Sequence, residues 1–81
     1  MNIEHDNGKV LIYKSIIAPI EVYSQDGKYF FYKIEKKYDE KTATMREHTV
    51  LKSISTVENI ILHMIKEQEM KYREIKRRNM I

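Results

Sequence analysis

The sequence contains no cysteine, no tryptophan, one proline and two glycines in 81 residues. The lack of cysteine excludes disulfide bonds, thiolate metal sites and thiol catalysis, and it fits a reducing compartment such as the cytoplasm. Because Gly8 and Gly27 stand far apart, the chain has no glycine-rich loop of the kind that binds nucleotide phosphates. We therefore expect no cofactor and no metal.

Long hydrophobic runs are also missing. The longest cover four residues, 10–13 and 29–32, far short of the roughly 18 residues of a membrane span. Residues 1–6 are too polar for a signal peptide, so we expect a cytoplasmic protein without a membrane partner. A hydrophobic content of 42% and a charged content of 33% are typical of a globular chain. Eighty-one residues suffice for one domain with a small core.

Positive charge is concentrated near the C-terminus. Residues 1–65 contain nine basic and nine acidic side chains, whereas residues 66–81 contain six basic and three acidic ones. A second local excess of lysine lies between residues 28 and 37. Such clusters are often plain solvated surface, but they are also the usual binding surface for a polyanion.

The strongest local signal is a β-hairpin. Asp26 and Gly27 separate two β-rich runs, residues 20–24 and 28–34, and Asp-Gly is a typical two-residue hairpin loop. This loop predicts that Tyr23 pairs with Phe30. One face of the hairpin carries Ile20, Val22, Tyr29, Phe31 and Lys33, and the other carries Glu21, Tyr23, Phe30, Tyr32 and Ile34. The second face makes the slightly better core, so the first is the candidate open face.

Three further elements complete the predicted fold. Residues 1–8 are predicted to be a flexible arm. Residues 9–17 are predicted to form a strand that ends near Pro19. Residues 42–51 are predicted to form another strand, which follows a charged turn at 38–41. Ser55 and Glu58 form a capping-box pattern, so a helix is predicted from residue 55 to about residue 78. We expect one α+β domain over residues 9–81, with an antiparallel sheet of three to four strands packed against this helix.

Catalytic residues do not converge. His5, His48 and His63 lie on three different elements, and His63 with Glu67 reads as a surface pair one helical turn apart. Ser53 and Ser55 are explained by the start of the helix. We expect a protein that is not an enzyme.

Basic and aromatic residues alternate on the second hairpin strand, a pattern that can neutralise phosphates and contact bases. A good strand lining a small core would show the same aromatic content. The candidate nucleic-acid-binding residues are Lys28, Tyr29, Phe31, Lys33, Lys36 and Lys37 on the hairpin, with Arg73, Lys76, Arg77 and Arg78 at the helix end.

Two segments resemble the arm-type DNA-binding domains at the N-terminus of tyrosine-family integrases. The first is residues 26–29, where a glycine and a basic residue precede an aromatic one; the second is residues 51–58, where the family turns from a strand into a helix at Thr-x-x-Glu and this chain has Ser55 three residues before Glu58. The likeness spans about residues 20–64. It implies a three-stranded sheet that enters the major groove of duplex DNA, with Lys28, Tyr29, Phe31 and Lys33 in contact and the helix behind.

A different class of function remains open. Small proteins rich in lysine, isoleucine and tyrosine resemble those of low-GC phages and mobile elements, many of which bind a host protein. In that role residues 68–81 would be a docking helix that uses Tyr72 and Ile75, or the helix would pair with a second copy as a homodimer.

Overall fold

The computed structural model describes residues 4–5 and 8–79, and the side chains of 8–78. In this part of the chain, five strands form one antiparallel sheet in sequence order, and one helix follows. The elements are β1 (Glu4–His5), β2 (Lys9–Lys14), β3 (Ile20–Gln25), β4 (Lys28–Asp39), β5 (Thr44–Ser55) and α1 (Glu58–Asn79). Four of these strands have six residues or more. The predicted α+β fold is confirmed.

The β3–β4 hairpin has the predicted turn and register. Asp26 and Gly27 both adopt positive φ angles, 50° and 76°, as a type I′ turn requires at its two central positions. Tyr23 lies opposite Phe30, and Gln25 lies opposite Lys28.

Strands β4 and β5 extend beyond the rest of the sheet. Pairing between β3 and β4 ends at Ile20 opposite Lys33, whereas β4 and β5 pair as far as Asp39 opposite Thr44. Residues 34–39 and 44–49 therefore form a two-stranded ribbon, which we call the β4–β5 ribbon. The strand predicted over 42–51 is present, but it starts two residues later and ends four residues later. The intervening turn includes Ala43 at a φ of 54°.

The N-terminal strand is shorter than predicted. Strand β2 ends at Lys14, because the Ser15 hydroxyl accepts hydrogen bonds from the amides of Ile17 and Ala18, at 3.1 and 3.0 Å, and turns the chain. Of the arm predicted over 1–8, Glu4–His5 pairs with β2 and Gly8 has a φ of 76°. The other residues of that arm lie outside the described part of the chain.

The helix starts three residues later than the capping box predicted. Ser55 is the last residue of β5, where it pairs with Tyr29, and Val57 is the residue directly before the helix. A capping box needs the Ser55 hydroxyl to accept from the amide of Glu58, but it accepts from the amide of Val57 at 3.0 Å, and the amide of Ile60 donates to the carbonyl of Val57 at 3.2 Å. The capping-box assignment of Ser55 and Glu58 is therefore wrong.

The helix covers the face of the sheet that the sequence analysis left open. Phe31 is 2% exposed and packs in one cluster with Ile61 and Ile65 of α1. The remaining buried members of that cluster are Ala18, Ile20 and Val22, with Tyr29, Met64 and Tyr72 packed at its margin. The prediction of an open face at Tyr29, Phe31 and Lys33 is wrong, because these residues lie on the α1 side.

The opposite face carries a second, smaller cluster. Tyr23, Phe30 and Tyr32 are buried there, with Leu11 beside them. The rings of Tyr23 and Tyr32 meet edge to face, with centroids 5.2 Å apart. Lys9 places its ammonium 4.5 Å from the centre of the Phe30 ring and donates a hydrogen bond to the Tyr32 hydroxyl at 3.0 Å. The sheet is therefore apolar on both sides, and α1 packs on only one of them.

Candidate nucleic-acid interface

The hairpin aromatic residues do not form a surface that could contact bases. Phe31 lies beneath α1, and Tyr29 is half-buried at the margin of the same cluster. A base could stack on either ring only if the helix moved away. The base-contacting role expected for Tyr29 and Phe31 is therefore not supported by their placement.

The four hairpin lysines are scattered rather than grouped. Lys28 is exposed directly after the turn, and Lys33 is half-buried on the α1 side between Ile20 and Val50. Lys36 and Lys37 are exposed on the β4–β5 ribbon, but alternation along a strand directs them to opposite faces. No single approach of a duplex would bring all four to phosphates.

Acidic side chains offset the positive charge of the β4–β5 ribbon. Arg46 pairs with Asp39 at 3.2 Å, and Lys52 pairs with Glu35 at 3.4 Å. Residues 34–49 contain four basic and four acidic side chains in all. This segment therefore offers a duplex no net positive charge.

The helix end keeps its positive charge exposed. Every residue from 73 to 78 is exposed, and Glu74 is acidic in this stretch and pairs with Arg78 at 3.8 Å. Because α1 turns by about 100° per residue, Lys66, Arg73 and Arg77 fall on one stripe, about 120° around the helix from the packed residues Ile61 and Ile65. This stripe, which we call the basic stripe, is exposed, and Arg73 also lies close enough to Glu69 and to Tyr13 of β2 to interact electrostatically with both. Lys66 was not predicted as a binding residue, although its spacing of seven positions from Arg73 places both on one side of a helix.

Tyr72 and Ile75 differ in their accessibility. Tyr72 is half-buried against the main cluster, so it stabilises the fold and offers little surface to a partner. Ile75 lies on the same side of α1 but is 43% exposed, because the helix has passed beyond the sheet there. Of the two residues proposed for docking, only Ile75 is accessible.

Glu69 fixes α1 against the end of β2. Its carboxylate accepts hydrogen bonds from the Tyr13 hydroxyl and from the Ser15 hydroxyl, the latter at 2.7 Å. The hydrogen bond from Tyr13 is the main cause that holds the pKa of Glu69 below its usual value, and the same bond raises the pKa of Tyr13. This contact was not predicted from the sequence, because no local pattern indicates a hydrogen bond between side chains that are 54 or 56 positions apart in the chain.

An apolar groove of about 390 Å³ lies between α1 and the β2–β3 side of the sheet. Its walls include Ile12 and Tyr13 on the sheet and Ile61 and Leu62 on the helix. Glu58 is the one acidic side chain in the lining. The groove therefore lacks the group of convergent polar side chains that catalysis needs.

Ionisable residues are dispersed elsewhere too. Among the residues that the structure describes, no three His, Asp or Glu side chains are placed to hold a metal ion. His63 and Glu67 form an exposed pair at 3.5 Å. In the same described range, no helix is long and apolar enough to cross a membrane.

Comparisons with protein-family models, curated proteins and solved structures found no match. The resemblance to integrase arm-type domains therefore stays a prediction.

Proposed function

We propose that this chain is a small, non-enzymatic DNA-binding protein that contacts the phosphate backbone through the C-terminal half of α1. The observation that carries the proposal is the exposed basic stripe: Arg73 and Arg77 lie on the exposed helix end, and Lys66 continues the stripe on the part of α1 that packs on the sheet. Lys71, Lys76 and Arg78 add exposed positive charge on other sides of α1. The whole positive excess of the sequence lies in this segment.

The physical basis is release of counterions from the duplex. Each lysine or arginine that neutralises a phosphate releases condensed cations, so affinity falls steeply as salt rises. Contacts of this kind position a protein on DNA but read no sequence. We therefore propose binding with little sequence preference. The cytoplasmic location is a separate prediction, which is based on the lack of cysteine.

Anisotropy of a fluorescent DNA duplex, titrated at several salt concentrations, tests the proposal. Three phosphate contacts would lower the association constant roughly fortyfold between about 50 and 200 mM salt. Absence of binding at the lowest salt, or binding that salt leaves unchanged, would contradict the proposal.

Protein binding is the second candidate function, and the exposed side chain of Ile75 favours it. An aliphatic residue at an accessible helix end is a typical anchor for a helix-binding groove. The salt series distinguishes the two functions, since docking of an apolar anchor depends weakly on salt.

A further inference from the structure

The side of β4 and β5 that faces away from α1, which we call the outer face, carries four exposed apolar side chains. Alternation places Tyr38 and its cross-strand neighbour Met45 on the side away from α1, together with Leu51 and Ile54. These four side chains are 60%, 59%, 42% and 52% exposed. The opposite side of the ribbon carries charged and polar residues, among them Lys37 and Arg46. The outer face is therefore apolar at both ends, with one charged pair, Lys36 and Glu47, between them.

The surface of the whole chain is larger than its mass predicts. A monomer of 9.8 kDa is expected to expose about 5,200 Å², and this chain exposes 6488 Å². Its radius of gyration is 14.5 Å, against about 12 Å for a compact chain of this length. Both values describe an elongated molecule, as expected from a ribbon and a helix end that extend past the rest of the sheet.

We propose that a second copy of this chain covers the outer face of β4 and β5, which gives a symmetric homodimer. The arrangement places the two ribbons face to face, with the two-fold axis parallel to the strands and between β4 and β5. Such an axis exchanges β4 with β5. Each residue of β4 then lies over the counterpart of its own cross-strand partner in the other copy.

The cross-strand register makes this arrangement complementary. Lys36 lies opposite Glu47 within one chain, so in the dimer each Lys36 faces Glu47 of the other copy, twice by symmetry. Tyr38 likewise faces Met45 of the other copy, a favourable contact between sulfur and an aromatic ring. The single charged pair on the outer face thus meets its opposite charge, which is the property that an isologous interface requires.

Charge-reversal variants test the interface directly. Lys36→Glu places two acidic residues against each other at both symmetric positions, and Glu47→Lys does the same with two basic residues. We expect sedimentation equilibrium to give twice the 9.8 kDa of the chain for the native protein, and a dimer dissociation constant at least about tenfold higher for each variant. An equimolar mixture of the two variants should recover the dimer, because every facing pair is then opposite in charge.

Lys37→Glu is the matched control. It changes the net charge by the same amount at the neighbouring residue, but on the opposite face of the ribbon, so we expect an unchanged dimer. Recovery in the mixture also shows that both variants fold. A monomer at every concentration, a dimer insensitive to Lys36→Glu, or an equal loss with Lys37→Glu would overturn the proposal. DNA is absent from these measurements, so their outcome is independent of the proposed function.

Discussion

Gln68 is an unusual residue on the packed side of α1. It falls on the same side of the helix as Ile61, Ile65 and Tyr72, and its side-chain oxygen is buried without a hydrogen-bond partner among the described residues. A buried acceptor without a partner costs roughly 1–3 kcal/mol, because it has lost its bonds to water. The position therefore favours an apolar side chain.

Replacing Gln68 with methionine should stabilise the protein. Methionine has nearly the same length and no acceptor to desolvate, so we expect the free energy of unfolding to rise by about 1 kcal/mol. Urea denaturation followed by circular dichroism measures the change. Gln68→Glu should lower stability, because it introduces a charge at the same place. A loss of stability in Gln68→Met would show that the amide has a partner after all.

At the scale of elements, the contact between α1 and β2 depends on Glu69. Both of its hydrogen-bond donors, Tyr13 and Ser15, belong to the end of β2 and the turn after it. The main cluster holds the N-terminal half of the helix, through Ile61 and Ile65, whereas Glu69 holds its middle against the end of β2. Since these bonds favour the ionised carboxylate, they couple the position of α1 to pH.

The pKa shift gives this contact a defined pH dependence. The pKa of Glu69 is lowered from its usual 4.5, so its stabilising contribution is complete above that value and is lost as pH falls through the lower folded pKa. We expect Glu69→Gln to unfold at lower urea than the native protein at pH 7, by about 1 kcal/mol, and the difference to shrink in acid. Glu67→Gln, which changes an exposed pair, is the control. A difference that stays constant with pH would contradict the role of ionisation.

Local signals and long-range contacts differed in how well the sequence predicted them. The Asp26–Gly27 turn was predicted with its register, because two residues with positive φ determine the hairpin directly. The start of α1 was placed too early, because pairing with Tyr29 keeps Ser55 in the sheet. A capping pattern carries no information on such tertiary pairing.

The choice between the two sheet faces was the main error. Both faces are apolar, and the composition of the hairpin alone slightly favoured the one with Tyr23 and Phe30. The decision depends on where Ile61 and Ile65 pack, which is a contact across about thirty positions of sequence that no pattern encodes. The site prediction failed at Tyr29 and Phe31 for this reason, whereas the exposed basic residues of the helix end needed only helical periodicity.

At the scale of the whole molecule, the basic stripe and the proposed dimer surface lie on different elements. The basic stripe lies on α1, beside the exposed side chain of Met70, and the dimer surface lies on β4 and β5, on the side of the sheet away from the helix. In the proposed dimer the ribbons meet at the centre and both helices lie outside, so both basic stripes stay free for a polyanion. Dimer formation and DNA binding are then compatible in one assembly.

The central claim is that the helix end, and not the hairpin, contacts DNA. The most direct test compares two double variants that each remove two positive charges: Arg73→Gln with Arg77→Gln on the basic stripe, and Lys28→Gln with Lys37→Gln on the hairpin and ribbon. Duplex anisotropy at several salt concentrations should show that the helix variant loses affinity and that its salt slope falls by about 2, as expected for two lost phosphate contacts. The hairpin variant should bind as the native protein does. A larger loss in the hairpin variant, or equal losses in both, would contradict the account.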